Sequence, residues 1–436
     1  MDIIVSKFGG TSVGSQEAIE KLREIVLEKE ERKIIVVSAV SGVTDLLIKA
    51  GTEAKKKGNW KTVLADIRER HLKLIKELDI VLDLSKHFKG LEAFLRGIES
   101  IGELTPRSRD YILSFGERLS SKIIESFLEK KSKAIRINSK YLIKTNETFS
   151  SATLDMKETR KAVKKNLLPK LEEYDKIIIT GFIGSTRQGE YTTFSRGGSD
   201  YSAAILANIL DAKELEIWTD VDGILTANPK IIPQAKVIKN VNYREASELS
   251  YFGAKVLHPK TIEPVVEKGI PARVVNTFNH KNRGTLITEK SKKTIKSVSS
   301  KNGSYIINLY STEMLGTSGF MAKIFSIFLE HSIVIDVVST SESSISLTTE
   351  CEPPTLLVRE LEKHASVEIL KNKTIISLVG EGLGERKNIL YRLFGAVKNY
   401  SIRMVSQGAL PQNITLVVDK RDEKLVIRAI YREFFN

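Results

Sequence analysis

Residues 3–12, with the sequence IIVSKFGGTS, set the pattern from which the fold of this chain is predicted. Three aliphatic residues form a buried strand, which carries Lys7 to its end and runs into a pair of glycines. An amphipathic helix follows, because apolar residues such as Ile19 and Leu22 recur on one face at helical spacing. A strand, a glycine-rich turn and a helix in this order are typical of an α/β sheet.

The same alternation continues through the first two-thirds of the chain. Predicted strands cover residues 34–40, 177–182 and 215–218, and long predicted helices cover residues 61–78 and 110–129. Continuously apolar strands separated by helices indicate a mostly parallel sheet with helices on both faces. Ligands bind such sheets at the carboxyl ends of the strands, so we expect the polar and glycine-rich stretches to line one edge.

An internal repeat begins beyond a lysine-rich connector at residues 289–296. Ile306 falls on Ile375 at a shift of 69 positions, and without a gap Phe325 falls on Phe394. Each copy reads as a small βαββαβ sandwich. We therefore expect an α/β domain over residues 1–290 and two related modules over residues 297–371 and 372–436, with strands that interleave between the modules.

Length and composition narrow the class of protein. The chain has 436 residues, of which 41% are hydrophobic and 28% charged, which is globular composition for two or three domains. Apolar runs are far shorter than the roughly 20 residues of a membrane span. The single cysteine excludes an internal disulfide and a multi-cysteine metal site. The N-terminus shows no leader pattern, so a cytoplasmic location is expected.

The net charge of +14 is compatible with either a polyanionic partner or an enzyme for anionic substrates. Basic residues alternate with acidic ones, as in residues 28–33 (EKEERK), rather than gather in one tail. This pattern favours solvated helix faces, so neither a nucleic acid nor a membrane is expected as a partner.

The turn after the first strand has the parts of a phosphate site. Glycines let the backbone approach a ligand closely, and Thr11 or Ser12 is predicted to cap a helix whose first N–H groups favour an anion. The spacing is not that of a P-loop, since Lys7 precedes the glycines. An isolated glycine pair would be read as a plain turn.

A second glycine-rich loop opens a helix at residues 194–200 (FSRGGSD). Arg196 is suited to a bidentate contact with a carboxylate or a phosphate. Asp200 has two readings: it orients a lysine or a magnesium ion, or it simply caps the helix.

Four further stretches carry polar residues, two of them after predicted strands and two within predicted helices. Glu117 is read either as a surface glutamate or as a carboxylate facing a substrate amine. The stretches are residues 38–44 (SAVSGVT), 114–120 (SFGERLS), 218–230 (WTDVDGILTANPK) and 252–259 (FGAKVLHP).

Together these stretches resemble the aspartate kinase family, of the amino acid kinase fold, in order and in spacing. The resemblance continues through the repeat, whose two modules look like ferredoxin-like ACT domains. It implies that ATP and L-aspartate give 4-phospho-L-aspartate and ADP, the first step of lysine, threonine and methionine synthesis. No protein nucleophile is required, since the substrate carboxylate is itself the nucleophile.

The resemblance also implies roles for individual residues. Lys7 and Asp200 are the catalytic pair, magnesium arrives with ATP, and the chain is expected to have no metal ligands of its own. Nucleotide-binding positions are Lys7, Gly9, Gly10, Thr219, Asp220, Lys230 and Lys255. Aspartate-binding positions are Ser38, Thr44, Glu117, Arg196 and Ser199. Two departures bear on nucleotide binding: Leu225 replaces a tyrosine found in many relatives, and Lys230 replaces an arginine.

The first module is predicted to bind a feedback effector, with lysine favoured over threonine. The expected contacts are Met314, Thr317, Gly319, Phe320, Met321, Ile335, Asp336, Thr340, Ser341 and Glu342. Asp336 would receive an ammonium; alternatively it is a surface carboxylate, and the methionines and Phe320 are module core. The second copy has Val405 in place of Asp336, so we expect one effector site per chain, at a module interface in a homodimer or a dimer of dimers.

Two other functions stay open on the sequence alone: a related kinase for another carboxylate, and a non-catalytic amino-acid sensor or nucleic-acid binder. Residues 380–384 (GEGLG) hint at a dinucleotide fingerprint, but the third required glycine falls on Glu385.

Overall fold

The computed structural model describes residues 2–28, 31–195, 197–251, 261–315, 318–408 and 412–435. The chain divides into two compact units. The first contains Met1–Ile224 and Val256–Lys290, and the second contains Leu225–Lys255 and Ser291–Asn436. The second unit thus includes a stretch of chain that the sequence pattern assigned to the first.

The described strands are β1 Ile3–Phe8, β2 Arg32–Val37, β3 Ala134–Ile137, β4 Lys176–Thr180, β5 Ile183–Ser185, β6 Tyr191–Thr193, β7 Glu214–Thr219, β8 Asn240–Asn242, β9 Ala272–Asn276, β10 Thr285–Thr288, β11 Ile295–Tyr310, β12 Ile335–Thr340, β13 Ser344–Thr349, β14 Ser366–Gly380, β15 Ile402–Ser406 and β16 Asn413–Asp419.

The described helices are α1 Gln16–Leu27, α2 Val43–Lys55, α3 Trp60–Glu77, α4 Ser85–Ile101, α5 Pro106–Glu129, α6 Met156–Asn166, α7 Leu168–Glu173, α8 Gly198–Ile209, α9 Tyr243–Tyr251, α10 Glu263–Val266, α11 Phe320–Glu330, α12 Thr355–Leu361, α13 Ile389–Ala396 and α14 Glu423–Phe435. None of these helices combines the length and apolar character that crossing a lipid bilayer requires.

The first unit is built on a mostly parallel sheet, as the apolar strands predict. Within this unit its strands lie in the order β3-β4-β2-β1-β7-β9-β10, and β10 alone runs antiparallel to its neighbour β9. Phe8 at the end of β1 pairs in register with Val37 of β2 and Trp218 of β7. The carboxyl ends of these strands therefore meet at one edge. Strands that follow β1 in sequence lie first on its β2 side and later on its β7 side, so the strand order reverses direction at β1. Ligands usually bind at such a point.

The two faces of this sheet bury different helices. Phe8, Val37 and Trp218 share one hydrophobic core with residues of α1 to α5. Helix α8 packs against β1 and β7. Since successive side chains of a strand point to opposite faces, Lys7 points away from the core that Phe8 enters.

Local signals place several element ends differently from the sequence prediction. Helix α1 is capped by Ser15, whose side chain accepts a hydrogen bond from the Ala18 amide, and not by Thr11 or Ser12, which lie in a short 3₁₀ turn. Helix α5 begins at Pro106, four residues earlier than predicted, because Thr105 caps it. Strand β2 ends at Val37 rather than at residue 40.

The second unit confirms the repeat. Its six-stranded antiparallel sheet has the order β12-β13-β11-β14-β16-β15. Helices α11 and α13 begin at Phe320 and Ile389, and strands β13 and β16 at Ser344 and Asn413, so both pairs keep the sequence shift. The long central strands are shared: Val298 of β11 lies in the core of the second module, and Val367 of β14 packs against the core of the first.

The same sheet is strongly curved. Strands β12 and β15 stand at opposite ends of its hydrogen-bond order and yet contact each other. Ile306, Val337, Ile375, Met404 and Val417 form a separate core on the face that this curvature encloses. Helices α11 to α14 contribute to the two module cores on the other face.

Gly116 fixes the approach of α5 to the sheet edge, and an alanine there should destabilise the first unit. A Cβ atom at Gly116 would lie 2.7 Å from the Cβ of Ala39, so α5 would have to move outward. We expect G116A to lose roughly 1–2 kcal/mol, because overpacking exceeds the gain of about 1 kcal/mol in helix propensity. The thermal unfolding midpoint measures this.

Gly97 in α4 supplies the matched control, since a Cβ atom there would meet no atom within 4 Å. G97A should stabilise the first unit by about 0.5–1 kcal/mol and therefore raise its unfolding midpoint slightly. Equal shifts for both variants would contradict the proposed packing constraint.

Candidate active site

An ion pair stands at the carboxyl edge of the sheet. The Lys7 ammonium on β1 lies 2.7 Å from Oδ1 of Asp200, and each side chain is only 12% exposed. Asp200 lies in the first turn of α8, whose N-cap residue is Gly197. Of the two readings of Asp200, the structure therefore favours the one in which it orients the lysine.

The glycine turn beyond β1 packs closely around this pair. A Cβ atom at Gly9 would lie 3.3 Å from the Lys7 ammonium nitrogen, and one at Gly10 would lie 3.1 Å from the Ala39 carbonyl oxygen. The Gly9 amide donates a hydrogen bond to the Trp218 carbonyl at 3.1 Å. The Gly9 amide is therefore used to join β1 to β7 and does not face a ligand.

Ser12 completes the link between this turn and the neighbouring strands, although the sequence did not single it out for this. It is fully buried. Its hydroxyl lies 3.2 Å from the Trp218 carbonyl and 2.7 Å from the hydroxyl of Thr277, which follows β9. Since Thr277 is 265 residues away in sequence, no local signal could have predicted the pair.

The end of β7 places two predicted nucleotide positions beside β1. The Thr219 hydroxyl donates to the Asp220 carboxylate at 3.1 Å, and Asp220 is exposed. In the same turn, Asp222 accepts hydrogen bonds from the side chains of Asn276 and Asn279 at 2.8 and 3.1 Å. These bonds hold the loop after β7 against the end of β9.

Glu117 is buried rather than on the surface. It is 4% exposed, and its Oε1 accepts a hydrogen bond from the Ala39 amide at 3.2 Å. Its Oε2 is buried and has no hydrogen-bond partner among the described residues. Burial raises the pKa of Glu117 to about 8. A buried acceptor without a partner calls for an explanation, and an incoming cation would supply one.

Other predicted aspartate positions lie along the same edge. Ser38 directly follows β2 and is half-buried, with its carbonyl accepting from the Ser120 hydroxyl at 2.7 Å. Thr44 is half-buried in the first turn of α2. Ser199 lies in the first turn of α8 and packs against Gly181. A Cβ atom added at Gly181 would lie 2.8 Å from the Ser199 hydroxyl oxygen.

Phe182, between Gly181 and β5, is a candidate that the sequence reasoning missed. It has a φ of 65°, a conformation that a non-glycine residue adopts rarely and often at functional sites. A Cβ atom at Gly198 would lie 2.6 Å from its ring. A phenylalanine carries no sequence signal for such a backbone conformation.

Three predicted site residues lie outside the described residues: Arg196, Lys255 and Thr317. Lys230 is exposed and belongs to the second unit. The structure thus brings together Lys7, Asp200, Gly9, Gly10, Thr219, Asp220, Ser38, Thr44, Glu117 and Ser199 within the first unit.

Comparisons with known proteins agree with this arrangement. A model of the amino acid kinase family matches residues 2–276, and an ACT domain model matches residues 376–434. Aspartokinase 2 from the chloroplast of Arabidopsis thaliana is 37% identical over 99% of this chain and 84% of its own length. The chain belongs to the aspartokinases of the amino acid kinase family. Accordingly it is a kinase that phosphorylates a carboxyl group. These matches confirm the family resemblance and the fold predicted from the sequence.

Two solved structures of an aspartokinase extend the comparison to the whole chain. Escherichia coli aspartokinase III in complex with aspartate and ADP (R-state) has a TM-score of 0.87 to this chain at 30% identity. Its complex with lysine and aspartate (T-state) has a TM-score of 0.83 at the same identity. Each match covers 100% of both chains.

The predicted effector residues of this aspartokinase lie in the second unit, and they differ in how deeply they are buried. Phe320 is 8% exposed and belongs to the core of the first module, while Met314 and Ile335 pack partly against that core. Met321 is 38% exposed and so is not core. Exposed positions are Gly319, Thr340, Ser341 and Glu342.

Asp336 is not the surface carboxylate that one reading allowed. Its side chain is fully buried and pairs with the Lys301 ammonium at 2.7 Å. It therefore already receives an ammonium, but one from the chain itself.

No cluster of three or more His, Cys, Asp or Glu side chains suited to a metal ion occurs in the part of the chain that the structure describes.

The raised pKa of Glu117 predicts a pH-dependent stability. The unfolded carboxyl loses its proton near its ordinary pKa of 4.5, whereas the folded one keeps it up to about 8. Between these values the folded chain holds more protons, so stability falls as the pH rises. Relative to the isosteric E117Q, wild-type protein should lose on the order of a few kcal/mol between pH 5 and pH 8, since each pKa unit is worth about 1.4 kcal/mol.

Thermal unfolding midpoints at pH 5, 6, 7 and 8 measure this difference. E129Q serves as the control, because Glu129 is exposed at the end of the same helix, and it should follow the wild-type curve. Parallel curves for wild-type and E117Q would refute the buried, protonated state of Glu117.

Proposed function

We propose that the chain transfers the γ-phosphoryl group of ATP to the side-chain carboxylate of L-aspartate, giving 4-phospho-L-aspartate and ADP. The observation that carries this proposal is the buried Lys7–Asp200 pair at the point where the strand order reverses. The E. coli relative was solved with aspartate and ADP, which supports both substrates. The product would enter lysine, threonine and methionine synthesis.

The site performs this reaction by positioning and charge neutralisation. The aspartate carboxylate is ionised at neutral pH and attacks directly, so no general base is required. Negative charge develops on the transferred phosphoryl oxygens. Lys7 contributes a positive charge there, and its pairing with Asp200 at 2.7 Å fixes the ammonium before substrate arrives. A preorganised charge of this kind stabilises the transition state without reorganisation cost.

The aspartate side of the site is built around Glu117. Its unpartnered Oε2 is suited to the substrate ammonium, which would favour the ionised form of this carboxylate on binding. Ser38, Thr44 and Ser199 supply hydroxyl groups along the same edge. Arg196, in the loop before α8, is proposed for a substrate carboxylate by family resemblance.

The nucleotide side uses the ends of β1 and β7. Thr219 ends β7 and Asp220 directly follows it, and Gly10 offers a close approach to the backbone. Lys230 and Lys255 are proposed as further nucleotide contacts by resemblance. Magnesium would arrive with the nucleotide and neutralise phosphate charge, and Asp200 and Asp220 are carboxylates at this edge that would face it.

Substituting Lys7 tests the catalytic assignment. We expect K7A to reduce phosphoryl transfer by at least a factor of about 10²–10³, the loss typical for a preorganised charge at the transition state. A hydroxamate assay, which traps the acyl phosphate product, measures the rate with aspartate and ATP. The thermal midpoint shows whether the variant is folded.

Lys213 gives a matched control, because its ammonium also lies 2.7 Å from a carboxylate, that of Asp2, but it directly precedes β7 at the opposite end of the strand. K213A should keep near-wild-type turnover. Near-normal turnover of a folded K7A protein would remove Lys7 from the mechanism.

Lysine is the proposed feedback inhibitor, acting at the first ACT module through Asp336. The complex of the E. coli relative with lysine and aspartate supports lysine over threonine. We further propose, from the family resemblance, that the site lies at a module interface of a homodimer or a dimer of dimers.

Removing the Asp336 carboxylate should desensitise the enzyme. With D336A we expect the lysine concentration for half-inhibition to rise at least about tenfold, since a charged hydrogen bond is worth about 1.5–3 kcal/mol. Inhibition curves for lysine and for threonine, each normalised to the uninhibited rate of the variant, measure this. Unchanged inhibition by both amino acids would refute the placement.

A further inference from the structure

A lysine ammonium of the chain occupies a built ammonium site in the second unit. Nζ of Lys301 lies 2.7 Å from Oδ1 of Asp336 and 2.6 Å from Oε1 of Glu350. It also lies 4.3 Å from the centre of the Tyr251 ring, and the Tyr251 hydroxyl donates a hydrogen bond to the same Asp336 oxygen. We call these four residues the Lys301 cluster. Two carboxylates and an aromatic face are groups that attract a cation.

The two carboxylates of the Lys301 cluster differ in burial. The Asp336 side chain is 0% exposed and that of Lys301 is 13% exposed, whereas that of Glu350 is 64% exposed. A buried carboxylate without a cation is costly, so the departure of the Lys301 ammonium from Asp336 is favoured only if another cation replaces it. Exchange of one ammonium for another meets this requirement, because the charge beside Asp336 does not change.

Glu350 gives the displaced group somewhere to go. It contacts the Lys301 ammonium from the solvent side of the cluster, so this lysine can withdraw from Asp336 while it keeps one ion pair. Oδ2 of Asp336 is buried and has no hydrogen-bond partner among the described residues. An amino acid ammonium entering the cluster could therefore use both Asp336 oxygens, whereas Lys301 uses one.

The repeat shows that this pair is particular to the first module. At the repeat shift, Leu370 and Val405 stand where the first module has Lys301 and Asp336. The second module keeps a carboxylate at the position of Glu350, and a lysine and an arginine of that module hold it. The second module thus has a lysine–aspartate pair of its own at other positions of the repeat, and the lysine–aspartate pair at positions 301 and 336 belongs to the copy for which an effector is proposed.

We propose that Lys301 is a tethered competitor of the effector: free lysine binds by taking the place of the Lys301 ammonium at Asp336, and Lys301 moves to Glu350. This inference rests on the proposed function, because it takes Asp336 to be the acceptor of the effector ammonium. If a site is open to its ligand for only a fraction of the time, the apparent Kd equals the intrinsic Kd divided by that fraction. Lys301 therefore sets the lysine concentration at which inhibition begins.

Calorimetric titration of the 436-residue chain with lysine tests the competition. K301M removes the competitor, and we expect the Kd for lysine to fall about 5–20-fold. K301Q, which retains a polar group for the buried carboxylate, should change the Kd in the same direction and serves if the methionine variant does not fold. K371M is the matched control, since Lys371 pairs with Glu352 on the surface of the same sheet, and its Kd should equal that of wild-type.

Glu350 supplies an independent arm, because an exposed glutamate tolerates substitution. E350Q leaves the displaced ammonium without a second carboxylate, so the Kd for lysine should rise about 3–10-fold. Lysine binding that is unchanged or weaker in a folded K301M or K301Q protein would overturn the inference, as would unchanged binding in E350Q.

The same titrations separate this inference from the proposed function. If wild-type protein does not bind lysine, or if D336N binds it as well as wild-type does, the effector assignment itself fails. If D336N loses lysine binding while K301M and K301Q bind no more tightly than wild-type, the effector site stands and only the competition is refuted.

Discussion

The 2.7 Å ion pair between Lys7 and Asp200 depends on how three segments of the first unit meet. Strand β1 must end level with β7, which the register of Phe8 with Trp218 provides. Helix α8 must begin close to that edge, and its start is set by Gly197 with a φ of 79°. A small shift of β1, β7 or α8 would separate the two charges. Because each side chain is only 12% exposed, separation would leave two nearly buried charges without partners.

Much of this site could be predicted from the sequence because its signals are local. The glycines beside Lys7, the Gly-Gly-Ser-Asp start of α8 and the polar residues after apolar strands each follow from backbone chemistry within a few positions. Parallel strands then bring such stretches to one edge without further information. The two readings of Glu117 could not be resolved in this way, because burial depends on how α5 packs against Ala39 rather than on its neighbours in sequence.

The features that the sequence did not predict involve long-range contacts or unusual backbone conformations. Ser12 and Thr277 are far apart in the chain. Phe182 adopts a positive φ that its residue type disfavours. Leu225–Lys255 belongs to the second unit although no change of composition marks its ends. In each case the deciding energy is tertiary packing, which overrides local preference.

The two ACT modules show how a repeat can keep its fold and change its chemistry. Apolar positions such as Ile306 and Ile375 remain aliphatic in both copies and build the cores, so the fold does not depend on the polar residues between them. Those polar positions are free to differ: the first copy pairs Lys301 with Asp336, and the second copy pairs Lys373 with Asp419 at other positions of the repeat. A buried ion pair contributes little net stability against an apolar alternative, and the second copy has the apolar residues. The fold of the module therefore does not require the pair at positions 301 and 336, which leaves these positions available for binding.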